Sequence, residues 1–319
     1  MLKNNKNETT CSFKLKNKDG FTLVELLIVL VISGFLVAAI AATFQSQNKS
    51  YVLQDQISEM QQNLRAGMLY MMREIRTAGY DENWVDIGPP VDGLHDTRMF
   101  DGIDNDGDGT IDNAGDDVRF GIWTANANLI RVVMDINPTD QDIGDADEDI
   151  TYSLYDAYGD GDTDLGRNAG GGNQPVAENI EGLGFAYAYD TDLDGDPATL
   201  ILDTSPNGHV IWAADTDGDG DWDILDTNDD GVIDINDAPG PGANIIGFDT
   251  NKTVDTAEIR AVRVWMLGRT NRGESGYVNN LTYVVGMYVI TPKNDADPLN
   301  DNFHMKLVEA NIKCRNLGL

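Results

Sequence analysis

Residues 21–44 read FTLVELLIVLVISGFLVAAIAATF, and Glu25 is the one charged side chain among them. At a rise of 1.5 Å per residue, a helix of this length extends about 36 Å, which is enough to cross the hydrocarbon core of a bilayer. An ionised carboxylate inside that core is costly, so we expect Glu25 to have a partner. The composition therefore predicts a transmembrane helix with one acidic group near its start.

The helical pattern continues beyond the apolar run. Apolar side chains recur every three or four residues and so share one helix face. They are Leu53, Ile57, Met60, Leu64, Met68, Met71 and Ile75. No proline occurs before Pro89, and Gly79 is a typical C-terminal stop. We predict one helix over 21–78, with a transmembrane part at 21–44 and an amphipathic part after it.

The chain is acidic, but its charge is uneven. Over 319 residues, 54 acidic side chains outnumber 22 basic ones, for a formal net charge of −32. Residues 1–20 have a net charge of +3, because five lysines face only Glu8 and Asp19. A nucleic-acid partner is not expected, since such binding needs a basic face. The two cysteines, Cys11 and Cys314, cannot form a disulfide framework.

A basic leader before an apolar run is also typical of a secretory signal peptide. Ala39-Ile40-Ala41 would then be the cleavage site. The apolar run is long for such a signal, and the helical pattern passes through it without a turn. These two features favour the transmembrane interpretation.

The junction between leader and helix carries a recognisable motif. Residues 18–27 read KDGFTLVELL, which resembles the processing site of type IV prepilins and type II secretion pseudopilins. The resemblance implies that a prepilin peptidase removes residues 1–20 by cutting after Gly20, that Phe21 becomes N-methylated, and that Glu25 directs assembly. The new α-amino group would be cationic near neutral pH and could pair with Glu25 of a neighbouring chain. The implied partners are other pilins, and the implied location is the inner membrane, then an extracellular pilus on a bacterium.

Further segments resemble the PilW-type minor pilins. They read REIRTAGY at 73–80, ENIEGLGF at 178–185, EIRAVRV at 258–264 and RNL at 315–317. The resemblance implies an α+β, pilin-like fold, in which the long helix packs on an antiparallel sheet of a head at 79–319, and it implies a minor pilin. A type II secretion pseudopilin and a calcium-dependent tip adhesin are the alternatives.

Short β-prone runs separated by Gly, Asp and Asn predict the strands of the head. They lie at 118–123, 128–134, 150–155, 185–189, 209–214, 259–267, 281–290 and 303–312. A sheet packed on the amphipathic part of the helix would cover its apolar stripe. The stretches 79–117, 135–149 and 156–175 are interpreted as long loops, and 190–257 as an insertion.

Aspartates at alternate positions, with Gly at position six, predict calcium-binding loops. The first, within an Asp-rich insertion at 101–117, offers Asp104, Asp106, Asp108, Thr110 and Asp112. The second offers Asp215, Asp217, Asp219, Asp221, Asp223 and Asp226. The third begins at the same Asp226 and adds Asn228, Asp230, Val232, Asp234 and Asp237. Ligands that are all oxygen favour Ca²⁺, and we expect two or three ions, with a further weak site at Asp190, Asp192 and Asp194.

The two tandem frames resemble the calcium loops of dockerins and thrombospondin type 3 repeats. Residues 215–237 contain ten aspartates and no Lys or Arg. Carboxylates about 4 Å apart repel by roughly 1 kcal/mol in water and about 4 kcal/mol at an effective dielectric of 20, so the loops need a cation. The alternative is a solvated acidic loop. Asp160, Asp162 and Asp164 form a weaker match.

The sequence offers no catalytic constellation. His95, His209 and His304 lack the spacing of a zinc site, and Ser275 does not lie in a nucleophile elbow. Cys314 is expected to be a packed residue. We therefore expect no enzymatic activity.

Overall fold

The computed structural model describes residues 20–80, 121–136, 147–189, 202, 204, 208–220, 222–231, 233–234, 236–237, 256, 259–292 and 302–314. The chain divides into two compact units, Met1–Leu53 and Gln54–Leu319.

One long helix, α1, spans Leu23–Thr77 and is 55 residues long. This confirms the predicted helix. It ends at Thr77, and Gly79, two residues later, has a φ of 76° in the left-handed region that favours glycine. The predicted stripe is also confirmed, since five of its members are buried: Met60, Leu64, Met68, Met71 and Ile75.

The described part of the head contains twelve strands. They are β1 (Gly121–Ala125), β2 (Ile130–Val133), β3 (Asp149–Tyr155), β4 (Asp164–Asn168), β5 (Asn173–Ala177), β6 (Ile180–Tyr189), β7 (Ala213–Ala214), β8 (Ile224–Leu225), β9 (Ile259–Arg269), β10 (Tyr283–Val285), β11 (Tyr288–Ile290) and β12 (Met305–Lys313). The first five form one sheet in the order β1-β2-β3-β4-β5, and a second sheet has the order β12-β9-β6-β7-β8. All strand pairs are antiparallel, and β10 pairs with β11 as a separate hairpin. The α+β, pilin-like fold is confirmed.

The amphipathic part of α1 packs against both sheets. A Cβ atom added at Gly67 would lie 2.8 Å from Leu165 Cδ2 on β4 and 3.4 Å from Met266 Cε on β9. At Gly268, an added Cβ would lie 2.9 Å from Leu64 Cδ2. The two glycines therefore permit the close approach of helix and strands that buries the stripe.

Three details differ from the sequence prediction. The expected loop at 156–175 contains β4 and the start of β5, because polar residues of β4 pair with β3 and the glycines at 170–172 form the turn after it. The strand expected at 209–214 is reduced to β7. The strand expected at 281–290 is the β10–β11 hairpin, which turns at Gly286 with a φ of 59°.

Candidate processing site and candidate metal loops

The start of α1 is closed by a reciprocal cap between Thr22 and Glu25. The Thr22 backbone N–H and hydroxyl donate to Glu25 Oε2 at 2.9 and 3.0 Å, and the Glu25 N–H donates to the Thr22 hydroxyl at 3.2 Å. This is a capping box, in which a Thr and a Glu three residues later satisfy each other. Glu25 thus has an intrachain partner, which the T-x-x-E spacing could have predicted. Gly20 and Phe21 precede the cap and are exposed.

The apolar part of α1 is long enough to cross a membrane by length and composition. The large hydrophobic side chains of Phe21 and of α1 as far as Phe44 are between 53% and 86% exposed. The hydroxyls within it are satisfied by the helix itself, because Ser33 donates to the Val29 carbonyl at 2.6 Å and Thr43 to the Ala39 carbonyl at 2.9 Å. This surface is suited to lipid or to other apolar helices.

The first described Asp loop, 215–223, closes the hairpin formed by β7 and β8. Asp215, at position one, is 2% exposed and accepts hydrogen bonds from the N–H groups of Gly218 at 2.7 Å and Gly220 at 3.1 Å. Both glycines have positive φ, 82° and 92°. The chain therefore curls around the Asp215 carboxylate, as the predicted calcium loop requires.

Three carboxylates converge in this loop. Asp215, Asp217 and Asp223, at positions one, three and nine, each offer an oxygen, and these oxygens lie within 4.8 Å of one another. Burial raises the pKa of Asp215, and the nearby carboxylates of Asp223 and Asp219 raise it further. The arrangement is therefore costly for ionised carboxylates unless a cation compensates them.

The second frame begins at Asp226, which is 2% exposed. Its two carboxylate oxygens accept hydrogen bonds from the N–H groups of Asp230 at 3.2 Å and Gly231 at 2.7 Å, so both face the second frame. Asp237, at position twelve, is 7% exposed and accepts a bond from the Thr227 N–H at 2.7 Å. Burial also raises the pKa of Asp226, with Asp237 and Asp230 adding to the shift.

Apolar residues at position eight fix both frames to the head. Trp222 is 4% exposed and stacks on Tyr189, with the ring centroids 5.9 Å apart. Ile233 is 1% exposed. The loops are therefore anchored in the hydrophobic core on one side.

The remaining predicted ligands divide into two groups. Asp219, Asn228 and Asp230 are exposed and Asp234 is half-buried. The others lie outside the described residues: Asp104, Asp106, Asp108, Thr110, Asp112, Asp190, Asp192, Asp194, Asp221 and Val232.

A loop with the same geometry joins β3 to β4 at 156–164. Asp156, at position one, accepts hydrogen bonds from the N–H groups of Gly159 at 2.6 Å and Gly161 at 3.1 Å. Both glycines have positive φ, 69° and 89°. Asp164, at position nine, is 2% exposed. The hydrogen bonds to the first aspartate and the two positive-φ glycines thus match those of the loop that begins at Asp215.

Sequence alone predicted this loop only as the weaker match at Asp160, Asp162 and Asp164. Aspartates fill positions one, five, seven and nine and Gly161 fills position six, but Tyr158 at position three breaks the alternation. The two loops also differ electrostatically. Backbone N–H groups, that of Gly161 above all, lower the pKa of the exposed Asp156, whereas burial raises that of Asp215.

Comparison with known proteins identifies the N-terminal segment. Residues 15–41 match the prokaryotic N-terminal methylation motif. A search of curated proteins found no match, and a search of solved structures found none either. The motif, followed by the long apolar helix and antiparallel sheets, indicates a protein of the pilin or pseudopilin type. Such a protein is anchored in a membrane through its N-terminal helix, is processed by a prepilin peptidase and assembles with other pilins.

Proposed function

We propose that this chain is a PilW-type minor pilin, a structural and assembly component of a type IV pilus. The observation that carries the proposal is the methylation motif at 15–41, followed by an apolar helix whose side chains from Leu23 to Val52 are all exposed. The helix would lie first in the inner membrane and then among other pilin helices in an extracellular filament. The role is assembly, without turnover of a substrate.

Glu25 would act in assembly through its charge. Cleavage after Gly20 leaves Thr22 in place, so the capping box that holds the Glu25 carboxylate can persist in the mature chain. The new amine of Phe21 on one chain can then meet Glu25 of the next. Such a pair is strongest where water is absent, as between packed apolar helices.

Calcium is proposed to stabilise the loops at 215–237. The proposal rests on the convergence of Asp215, Asp217 and Asp223 and on the burial of Asp215, Asp226 and Asp237. Oxygen ligands in flexible loops suit Ca²⁺, and extracellular modules bind it at about 10⁻⁴–10⁻³ M. The loops would therefore be loaded outside the cell.

The pilus role is tested by purifying sheared surface filaments from cells that express a tagged chain. We expect the chain to co-purify with type IV pilus subunits. Co-purification with type II secretion pseudopilins instead would favour the alternative, because a pseudopilin carries the same methylation motif. Absence from both assemblies would contradict the proposal.

The calcium role is tested by limited proteolysis of the mature chain with EDTA or with about 5 mM Ca²⁺. We expect cleavage within 215–237 to be faster in EDTA, because the repelling carboxylates lose their cation. Asp217→Asn should remove most of this calcium dependence, whereas Asp160→Asn, in the loop at 156–164, should leave it unchanged. Equal cleavage of the wild type under both conditions would contradict the calcium proposal and leave the pilus proposal standing.

A further inference from the structure

The loop at 156–164 lies against a buried guanidinium. Arg269, the last residue of β9, is 3% exposed, and its Nη2 forms an ion pair with Asp162 Oδ1. Its Nε lies 2.5 Å from Glu181 Oε1. Its Cζ lies 4.2 Å from the centroid of the Phe303 ring. The charge of Arg269 is therefore held in a fixed place beside the loop.

Backbone N–H groups hold two other carboxylates of this loop, those of Asp156 and Asp164. Asp156 accepts hydrogen bonds from three N–H groups of the loop. Asp164 Oδ1 accepts one from the Asn179 N–H at 3.0 Å, and the Thr163 carbonyl accepts one from the Ile180 N–H at 2.8 Å. The loop is thus bound to the start of β6 by groups of the protein itself.

A second arginine on β9 reaches the tandem loops in a different way. Arg263 is 9% exposed, and its Nε and Nη2 donate to Glu309 Oε1 on β12. Its Nη1 donates to the Gly231 carbonyl at 2.8 Å. Arg263 therefore positions the backbone of the second frame, and among the described residues its charge is compensated by Glu309.

We propose that Arg269 is the built-in cation of the 156–164 loop, so that this loop keeps its calcium-loop geometry without a bound metal. Arg269 is buried, and its removal would leave the partly exposed Asp162 and Glu181 without their counter-charge, which is destabilising. Loss of the Arg269 charge is therefore expected to increase the fraction of time that this loop is open. The expectation for 156–164 holds whether or not residues 215–237 bind calcium.

Hydrogen exchange read by mass spectrometry on peptides covering 156–164 tests this in the full-length chain in detergent micelles. In the wild type, exchange of this loop is expected to be equal in EDTA and in about 5 mM Ca²⁺. In Arg269→Gln, exchange is expected to rise at least about tenfold, because Asp162 and Glu181 lose their counter-charge.

Arg263→Gln is the matched control, since it removes a buried guanidinium from the same strand and should leave exchange at 156–164 unchanged. Asp162→Asn removes the same ion pair from a side chain that is 37% exposed, so it keeps the test decisive if Arg269→Gln does not fold. It too should raise exchange. The proposal is overturned if EDTA raises exchange of the wild-type loop, if neither variant of the ion pair raises it, or if Arg263→Gln raises it equally.

Discussion

The two parts of α1 are equally helical but have opposite surroundings. From Leu23 to Val52 every residue is exposed, whereas Leu64, Met71 and Ile75 are at most 1% exposed in the core of the head. The second part is covered by strands of its own chain. The first part meets no such cover among the described residues, so we expect its partner to be lipid or the helices of other chains. The buried part of α1 therefore stabilises the head, whereas the exposed part is the surface that we expect to join the chain to an assembly.

The largest expected difference is between Leu64→Ala and Leu30→Ala. Leu64 is 1% exposed and Leu30 is 60% exposed. Loss of the buried side chain should reduce the free energy of unfolding of the head by about 2–5 kcal/mol, whereas Leu30→Ala should leave it within about 0.5 kcal/mol. Urea unfolding of the mature chain in micelles measures both.

Alkylation of Cys314 compares Leu64→Ala and Leu30→Ala by a second, independent measurement. It is fully buried in the hydrophobic core that includes Leu64, and burial raises the pKa of its thiol to about 12. At pH 8 the native thiol is therefore protonated and shielded, so alkylation should require opening of the head. Faster alkylation in Leu64→Ala but not in Leu30→Ala is expected. Equal effects of the two substitutions would remove the distinction between the two parts of the helix.

The next effect concerns Glu25→Gln in the exposed part. Glutamine retains an oxygen that can accept the Thr22 hydrogen bonds, so the helix cap can persist while the charge is lost. We expect incorporation into filaments to fall at least about tenfold, because an amine from a neighbouring chain no longer finds a carboxylate. Quantitative immunoblots of sheared filaments measure this, with urea unfolding of the head as the control that should not change. If Glu25→Gln chains entered filaments as efficiently as the wild type, the charge of Glu25 would not be required for assembly.

The smallest effect is expected from Gly67→Ala, with Gly34→Ala as its counterpart. A Cβ at Gly67 would meet Leu165 Cδ2 at 2.8 Å and Ala177 Cβ at 3.2 Å, whereas nothing lies within 4 Å of one at Gly34. Alanine favours a helix by up to about 1 kcal/mol, but overpacking costs about 1–3 kcal/mol, so Gly67→Ala should destabilise the head by about 1 kcal/mol. Gly34→Ala should not lower its stability. A stabilised Gly67→Ala head would mean that helix and strands are not in close contact there.

Sequence predicts those features of this chain that depend on local periodicity. The apolar run, the stripe from Met60 to Ile75 and the stop at Gly79 predict a helix over 21–78. The observed α1, Leu23–Thr77, starts two residues later and ends one residue earlier. The long strand β9, predicted at 259–267, spans Ile259–Arg269, and β-branched, aromatic and other apolar residues predominate in it. Two of its three arginines, Arg263 and Arg269, are buried by contacts with segments distant in sequence, which no local pattern reports.

The short strands and the loop at 156–164 depend on pairing that sequence does not display. β4 is polar, and it exists because β3 and β5 supply its hydrogen bonds. The 156–164 loop adopts the geometry of an Asp loop although Tyr158 breaks the pattern, because Gly159 and Gly161 permit the turn and the start of β6 secures it. The cap between Thr22 and Glu25, in contrast, is local and could be predicted.

We expect the exposed part of α1 to become the N-terminus of an assembled subunit. Mass spectrometry of the N-terminal peptide, from chains isolated with the membrane and with sheared filaments, tests it directly. We expect a mature chain that begins at an N-methylated Phe21 and retains Glu25. A mature chain that begins near residue 42, after a signal-peptide cleavage, or a filament-bound chain that still carries residues 1–20, would contradict it.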